Sequence, residues 1–272
     1  MEYIPYKFLD LIDETKIDPY FLSCNPNSIH IMEQNFDKID WFLFSQNPNA
    51  IYLLEKNKDK IHWDMLSINH NAIQLIENML EIDPNKIDNQ GLSLNINAME
   101  LLEKYPEKID WNHLSANPSA IHLLKQNINK INWNYLSENP NAMELLENNQ
   151  NKINWSNLSF NTNAIELLKR NPDKIHWSTL SANLNAIELL EKNLNKIDWI
   201  VLSANSNAIH LLEKNIDKID WVLLGKNKNI FTYDYKFIEK RMNIYKEELL
   251  QIALHPKRVE FWLENGMNIG DL

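Results

Sequence analysis

Apolar residues along this chain recur in a fixed order. In "WNHLSANPSAIHLLKQNINKIN" (residues 111–132) Trp111 and Leu114 stand three apart, Ala120, Ile121, Leu123 and Leu124 crowd together, and Ile131 follows alone behind a lysine. The order returns every 22 residues, marked by Trp41, Trp63, Trp111, Trp133, Trp155, Trp177, Trp199 and Trp221. Pro19 holds the Trp position one period before Trp41 and Asn89 holds it one period before Trp111, with a longer spacing of 26 between Trp63 and Asn89. A fixed period of this length is the mark of a repeat architecture. Leucine-rich repeats have similar periods, but they need alternating Leu at a strand, whereas "NAIELLEKN" has helical spacing and strong helix formers.

Each unit carries two helix-start signals. The acid or amide before Trp (Asp40, Asp110, Asp198, Asp220) reads as an N-cap. The Ile one step earlier (Ile39, Ile109, Ile197) and the Leu inside the helix (Leu114, Leu202) read as a hydrophobic staple. That helix lasts about six residues before a recurrent Asn (47, 69, 95, 117, 139, 161, 183, 205), where the left-handed conformation that Asn tolerates would end it. The next Asn (Asn97, Asn141, Asn163, Asn185), with Glu three residues on (Glu100, Glu144, Glu166, Glu188), resembles a capping box for a second helix. A closing Asn (Asn171, Asn193, Asn215) reads as its stop.

Helices this short are marginal alone, so stacking on neighbours must stabilise them. The expected fold is all-α: an α-solenoid of short helical hairpins, about nine to ten 22-residue copies, with a helical C-terminal cap. Residues 1–18 are expected to form a partial repeat or N-terminal cap, 19–225 the tandem array, and 226–272 the C-terminal cap. At about 8–10 Å per hairpin the array predicts a curved rod of about 80–100 Å, with Trp among the buried stacking residues. The tail predicts a helix near 234–243, another near 245–254, and a third from Pro256 to Gly266.

A formal charge of −10 argues against unaided binding to nucleic acid or anionic membrane. No apolar run approaches the roughly 18 residues of a membrane span, and the N-terminus reads as lacking a signal peptide. Cys24 is the one cysteine, which fits a reducing compartment. Four glycines leave no phosphate-loop or dinucleotide fingerprint. Abundant Asn, Ile and Lys point to an A/T-rich coding sequence.

The array of W-x-x-L-S-x-N-P-N-A-I-x-L-L-E-K-N-x-D-K-I-D-W units, followed by "LHPKRVEFWLENG", resembles a large group of repeat proteins encoded by giant viruses of the mimivirus kind. The resemblance covers nearly the whole chain. It implies a viral protein made in the cytoplasm of an amoebal host, and it carries over no catalytic or ligand-binding residues.

Catalytic and metal-binding constellations are not apparent. The histidines lack the spacing of a zinc-binding helix, and a serine repeated without a paired base reads as a packing or capping hydroxyl. No cofactor is implied, and the chain reads as non-enzymatic. Recognition is expected in the positions that vary while the scaffold stays fixed. The residues after Trp supply His113, Asn134, Tyr135, Asn157 and Thr179; the second helix supplies Tyr52, Gln74, His122 and His210. Lys236, Lys240, Arg241, Lys257 and Arg258 make the tail a candidate docking module. The expected partner is an unidentified host or viral protein. The alternatives are a structural component of the virion or virus factory and, against the charge, a repeat-based nucleic-acid reader.

Overall fold

The computed structural model describes residues 6–264. Its contacts divide the chain into two compact units, residues 8–230 and the described residues outside that span. The first unit is an α-helical repeat solenoid. In the copy that begins at Trp111 the elements are a helix (Trp111–Ala116), a 3-10 turn (Pro118–Ala120), a second helix (Ile121–Gln126) and a further 3-10 turn (Ile128–Lys130).

The Trp helices start as the sequence predicts. The carboxylate of Asp40 accepts the N–H of Leu43 at 2.8 Å, and Asp110, Asp198 and Asp220 do the same for His113, Val201 and Leu223. Ile39, Ile197, Leu114 and Leu202 are buried, as a staple requires. The recurrent serine also behaves as expected. Ser115 Oγ donates to the carbonyl of Trp111 at 2.7 Å and accepts the N–H of Asn132, the cap of the following repeat's Trp helix, at 3.0 Å.

The first asparagine does something other than expected. Asn117, Asn139 and Asn161 have φ of −75°, −73° and −66° with ψ of 117°, 114° and 117°, so they are extended rather than left-handed. Their value lies in the side-chain amide, which is fully buried. Asn139 Oδ1 accepts the N–H of Asn141 at 2.9 Å, which turns the corner. Its Nδ2 donates to two carbonyls of the preceding repeat, Ser115 at 3.0 Å and Asn117 at 2.9 Å. One amide thus shapes its own repeat and bonds it to the last.

The capping box does not form. The second helices begin one residue after the expected point, with Ala98, Ala142, Ala164 and Ala186 as N-caps that have no side-chain bond. The second asparagine instead reaches backward: Asn141 and Asn163 Nδ2 donate to the carbonyls of Pro118 and Pro140, each at 2.9 Å. Glu144 is therefore free of the cap and pairs with Lys125 at 2.6 Å. The closing asparagine does end the second helix, but by donation. Asn171, Asn193 and Asn215 each give Nδ2 to the carbonyl four residues back at 2.9 Å.

The core is Leu and Ala rather than Trp. Leu114, Ala120, Leu124, Leu136, Ala142 and Leu146 are all fully buried, whereas the Trp rings are half-buried. Seven of the eight repeat Trp rings, all but Trp63, are covered by the lysine of a 3-10 turn: Lys130 lies 4.3 Å from the Trp111 centroid and Lys174 lies 4.5 Å from that of Trp155. Such a cation–π contact at an exposed site contributes about 0.5–1 kcal/mol.

The array is not an open rod. Corner asparagines stand at Asn25, Asn47, Asn69, Asn95, Asn117, Asn139, Asn161, Asn183, Asn205 and Asn227, and each from Asn47 onward bonds back to the copy before it. Asn25 has no copy before it in sequence. Its Nδ2 donates to Gly225 O at 2.9 Å and Asn227 O at 3.0 Å, the same pair of positions in the tenth copy. Asn27 Nδ2 then donates to Lys228 O at 2.8 Å, as its equivalents do elsewhere. The repeats close into a ring.

The tenth copy takes its lysine turn from the other end of the chain. Glu14–Lys16 forms that 3-10 turn, and Lys16 Nζ lies 5.0 Å from the Trp221 ring centroid. Gly225 stands where the other copies have serine. A Cβ there would meet Phe21 Cβ at 3.1 Å and Asp18 O at 3.4 Å, so its bare backbone suits the close approach at the closure.

Trp helices of successive repeats pack directly on one another, while the second helices make much sparser contact among themselves. In a closed ring the closely spaced layer is the inner one. The four extra residues near 80 lengthen one second helix to ten residues (Ile73–Ile82). On the inner side of that step a Cβ on Gly91 would come within 2.9 Å of Ile68 Cγ1, so glycine lets the two Trp-position helices approach there. Pro19 and Asn89 keep their helices, Pro19–Leu22 and Asn89–Leu94, behind Asp18 and Asp88 caps.

Tyr6–Phe8 and Phe231–Tyr233 form a two-stranded sheet, and Tyr6 and Tyr233, both in the second unit, stack at 4.9 Å. Two tail helices were expected before Pro256; a single helix, Tyr235–Ala253, is found. No Pro or Gly interrupts that stretch, and Asn243 costs a helix interior less than about 1 kcal/mol, so nothing stops propagation. A second helix, Pro256–Glu264, begins at the expected proline; Gly266, its expected stop, lies outside the described residues.

Replacing Asn139 by Ala removes one corner amide and leaves the carbonyls of Ser115 and Asn117 without it. Urea unfolding of Asn139→Ala should show a loss of about 1–3 kcal/mol. Asn139→Asp, which offers no donor and buries a charge, should lose more at neutral pH than at acid pH.

Candidate interaction surface

The variable positions fall on two layers of the ring. Those following Trp lie on the inner helices, and those of the second helices lie on the outer ones. Among the inner positions the structure links several expected residues. His113 Nδ1 lies 3.0 Å from the Asp110 carboxylate, and the His113 ring meets Tyr135, in the next repeat, at 5.0 Å between centroids. Asn134 Oδ1 receives a hydrogen bond from Asn154 Nδ2 at 3.2 Å, and the Asn134 carbonyl receives one from Asn157 Nδ2 at 3.0 Å. Thr179 bonds to His176 and lies 3.4 Å from Ser156 Oγ. These side chains are therefore largely engaged in joining neighbouring repeats. Of them only Asn134 is well exposed.

The outer positions are more open. Tyr52 is 54% exposed, hydrogen bonds to Lys56, and lies with its ring centroid 4.0 Å from that ammonium. Gln74 bonds to Asn78 at 3.3 Å. His122 lies 3.7 Å from Glu103, and His210 lies 2.9 Å from Glu191, each carboxylate belonging to the preceding repeat. His210 also borders an open groove with Leu9, Ile209 and Asn229. These four are spread around the array and do not converge on one site.

In the second unit Lys236 and Lys240 are exposed on the long helix. Arg241 donates to Tyr245 Oη at 3.2 Å. Arg258 lies 5.9 Å from the Trp262 ring centroid and, with Lys257, His255 and Phe261, borders an open groove. The tail's basic groups are interleaved with Glu239, Glu247, Glu248 and Glu260, so it presents mixed charge.

The chemistry available at these positions is contact chemistry. The recurrent serines spend their hydroxyls on backbone groups, as Ser115 does. Among the described residues no cluster of three or more His, Cys, Asp or Glu could hold a metal ion, and no helix is long and apolar enough to cross a membrane. Asp110 is partly desolvated, which raises its pKa, but the hydrogen bonds and charge of His113 outweigh that and hold the carboxyl below its usual range. Lys125 lowers Glu144 by hydrogen bond and charge. Glu138, at the end of Trp133–Glu138, is half-buried, and desolvation pushes its pKa up.

Sequence reasoning missed the lysine over seven of the eight repeat Trp rings. The signal was present as a lysine recurring three places before each Trp, but its partner is the Trp of the repeat before. It also missed the backward reach of the asparagines, because a bond between units has no signature inside one unit.

Fold and surface together define a closed helical-repeat protein whose fixed residues build the ring and whose variable residues lie on its two layers, the inner ones largely engaged between repeats and the outer ones more open. No protein-family model matches the chain, and neither does any curated protein or solved structure.

Glu138 provides a test of the inner layer. A carboxyl whose folded pKa is raised favours folding below its unfolded pKa and loses that contribution as pH rises through the folded value. Glu138→Gln should therefore raise the melting temperature at pH 7, and the gain should disappear in acid, below about pH 4. A gain that persists there would assign the effect to packing instead.

Proposed function

We propose that the chain is a non-enzymatic protein–protein interaction scaffold of a giant virus, acting in the host cytoplasm. The observation that carries this reading is the division of labour within each repeat. Leu, Ala, Ser and the asparagines are consumed by the ring, as their burial and complete pairing require. The residue after Trp and the second residue of the second helix vary in size, charge and polarity while remaining accessible, as in solenoids that recognise partners. The viral setting rests on the sequence resemblance alone.

A structural role in the particle or virus factory is the second reading. The long tail helix favours it, since Phe237, Met242, Leu249 and Ile252 are each at least half exposed and would suit assembly contacts. A reader of nucleic acid gains no support from a chain of net charge −10.

Affinity capture from infected cells separates these readings. A soluble partner recovered in stoichiometric amount supports the scaffold. Recovery with particles and without such a partner supports the structural role. Turnover of a substrate that is lost on changing one residue would overturn both.

A further inference from the structure

The helix Tyr235–Ala253 arranges its apolar residues on a different spacing from the repeats. Tyr235, Ile238, Met242, Tyr245, Leu249 and Ile252 follow one another at intervals of 3, 4, 3, 4 and 3 residues. Those are the a and d positions of a heptad, which lay one apolar line along a helix about 28 Å long. Tyr235, Met242, Leu249 and Ile252 are each at least 60% exposed, and Met242, Tyr245 and Leu249 border an open groove. The other exposed apolar groups make no second line. Phe237 and Ile244 share their side with Arg241 and Glu248, and Leu250 stands among Asn243, Lys246 and Glu247. The other helix of this unit, Pro256–Glu264, meets the long one at its last turn, where Arg258 donates to the Ile252 carbonyl at 3.4 Å, and does not lie along the line.

The charges beside the line decide what can cover it. Glu239 and Lys246 fall at e, and Arg241 and Glu248 fall at g. No charged residue of the helix has an opposite charge four places along, and none of the ion pairs among the described residues includes Glu239, Lys246 or Glu248. Arg241 donates one N–H to Tyr245 Oη at 3.2 Å, and a guanidinium carries five. In an antiparallel pair of such helices e lies beside e and g beside g. When Met242 faces Tyr245 of a second copy, Tyr235 faces Ile252 and Ile238 faces Leu249. Glu239 then stands beside Lys246 and Arg241 beside Glu248, each contact made twice, with no like pair among them.

Other arrangements of two copies fail on charge. Sliding the pair by one heptad sets Lys246 against Lys246 and Glu248 against Glu248 in one direction, and Glu239 against Glu239 and Arg241 against Arg241 in the other. A parallel pair sets Arg241 against Lys246. Like charges so placed act against the wrong partner, so one orientation and one register stand out. The helix's remaining charges, Lys236, Lys240 and Glu247, fall at b and f, away from the line, and Asp234 caps the helix by accepting the N–H of Phe237 at 3.1 Å. Four cations and three acids leave the helix near neutral in a chain of net charge −10, and antiparallel helices also oppose their dipoles favourably.

We propose that this helix pairs with the same helix of a second copy, as an antiparallel coiled coil over residues 235–252 that joins two chains. The proposal goes beyond both functional readings, since it needs neither a host partner nor a particle. Six side chains from each copy make a small seam, so the expected Kd lies between about 1 and 100 μM.

Sedimentation of the full chain over a concentration series should show a monomer–dimer equilibrium in that range. Leu249→Glu, which puts a charge into the seam, should leave a monomer at about 100 μM with an unchanged melting temperature. Lys246→Glu should weaken the dimer by about ten-fold or more, and Lys240→Glu, the same charge change at f, should stay within about three-fold. Glu239→Lys alone should weaken it likewise. An equimolar mixture of Lys246→Glu and Glu239→Lys chains makes every e contact opposite again and should recover a 1:1 dimer within about three-fold of the wild-type affinity.

A wild-type chain that stays monomeric at about 100 μM would leave this face to another occupant and overturn the proposal. Tighter association of Lys246→Glu would indicate a parallel pair, in which Arg241 would then face an acid, and would overturn it too. So would an unaltered Kd for Leu249→Glu, equal weakening by Lys240→Glu, or a mixture that stays monomeric. None of these results decides what is captured from infected cells, so the dimer can fail while the scaffold or structural reading stands.

Discussion

The side-chain amide of the corner asparagine holds this structure together. Each is almost completely buried, and each uses its oxygen to turn its own repeat and its nitrogen to bond two carbonyls of the repeat before. A buried amide without partners costs a few kcal/mol, so the group is stable only where the neighbouring repeat presents those carbonyls at the right place. That requirement sets the spacing and direction of every step. Leucine and alanine supply the burial, but they would tolerate many arrangements; the amide tolerates very few.

A fixed step repeated with a small turn returns to its start. The inner Trp helices touch, the outer helices stand further apart, and after ten steps Asn25 meets Gly225 and Asn227 with the bonds every other corner makes. An open solenoid must cover its end repeats. In this ring the first and tenth repeats do that for each other, and the turn at Glu14–Lys16 completes the tenth from the far end of the chain. Closure also reassigns neighbours, so surface features at the two ends of the sequence become continuous.

Much of the fold was legible from pattern alone. The period, the short helices, the aspartate caps and the serine hydroxyls follow from residues that act within one unit or on the adjacent backbone. What escaped was everything set by contact between units. Asn139 and Asn141 look like helix signals because Asn commonly is one, yet their amides serve the preceding repeat. Glu144 looks like a capping partner from its spacing, yet it reaches Lys125. The half-buried Trp155 looks like core because Trp is large and apolar, yet a lysine covers one face of its ring. The step angle, and with it closure, depends on how layers pack and leaves no trace in a single repeat. The candidate surface was legible as a set of variable positions. Which of them are engaged in joining repeats, as Tyr135 and Asn157 are, was not.

Closure is the central claim, and a distance between spin labels tests it directly. Asp37 and Asp217 are exposed turn residues in the first and ninth repeats, and cysteines there can be labelled once Cys24 is replaced by serine. In the ring the two sites are two steps apart through the tenth repeat, and double electron–electron resonance should give a narrow distribution at about 20–35 Å. An open array would place them eight steps apart, and a distribution centred beyond about 50 Å would contradict the account.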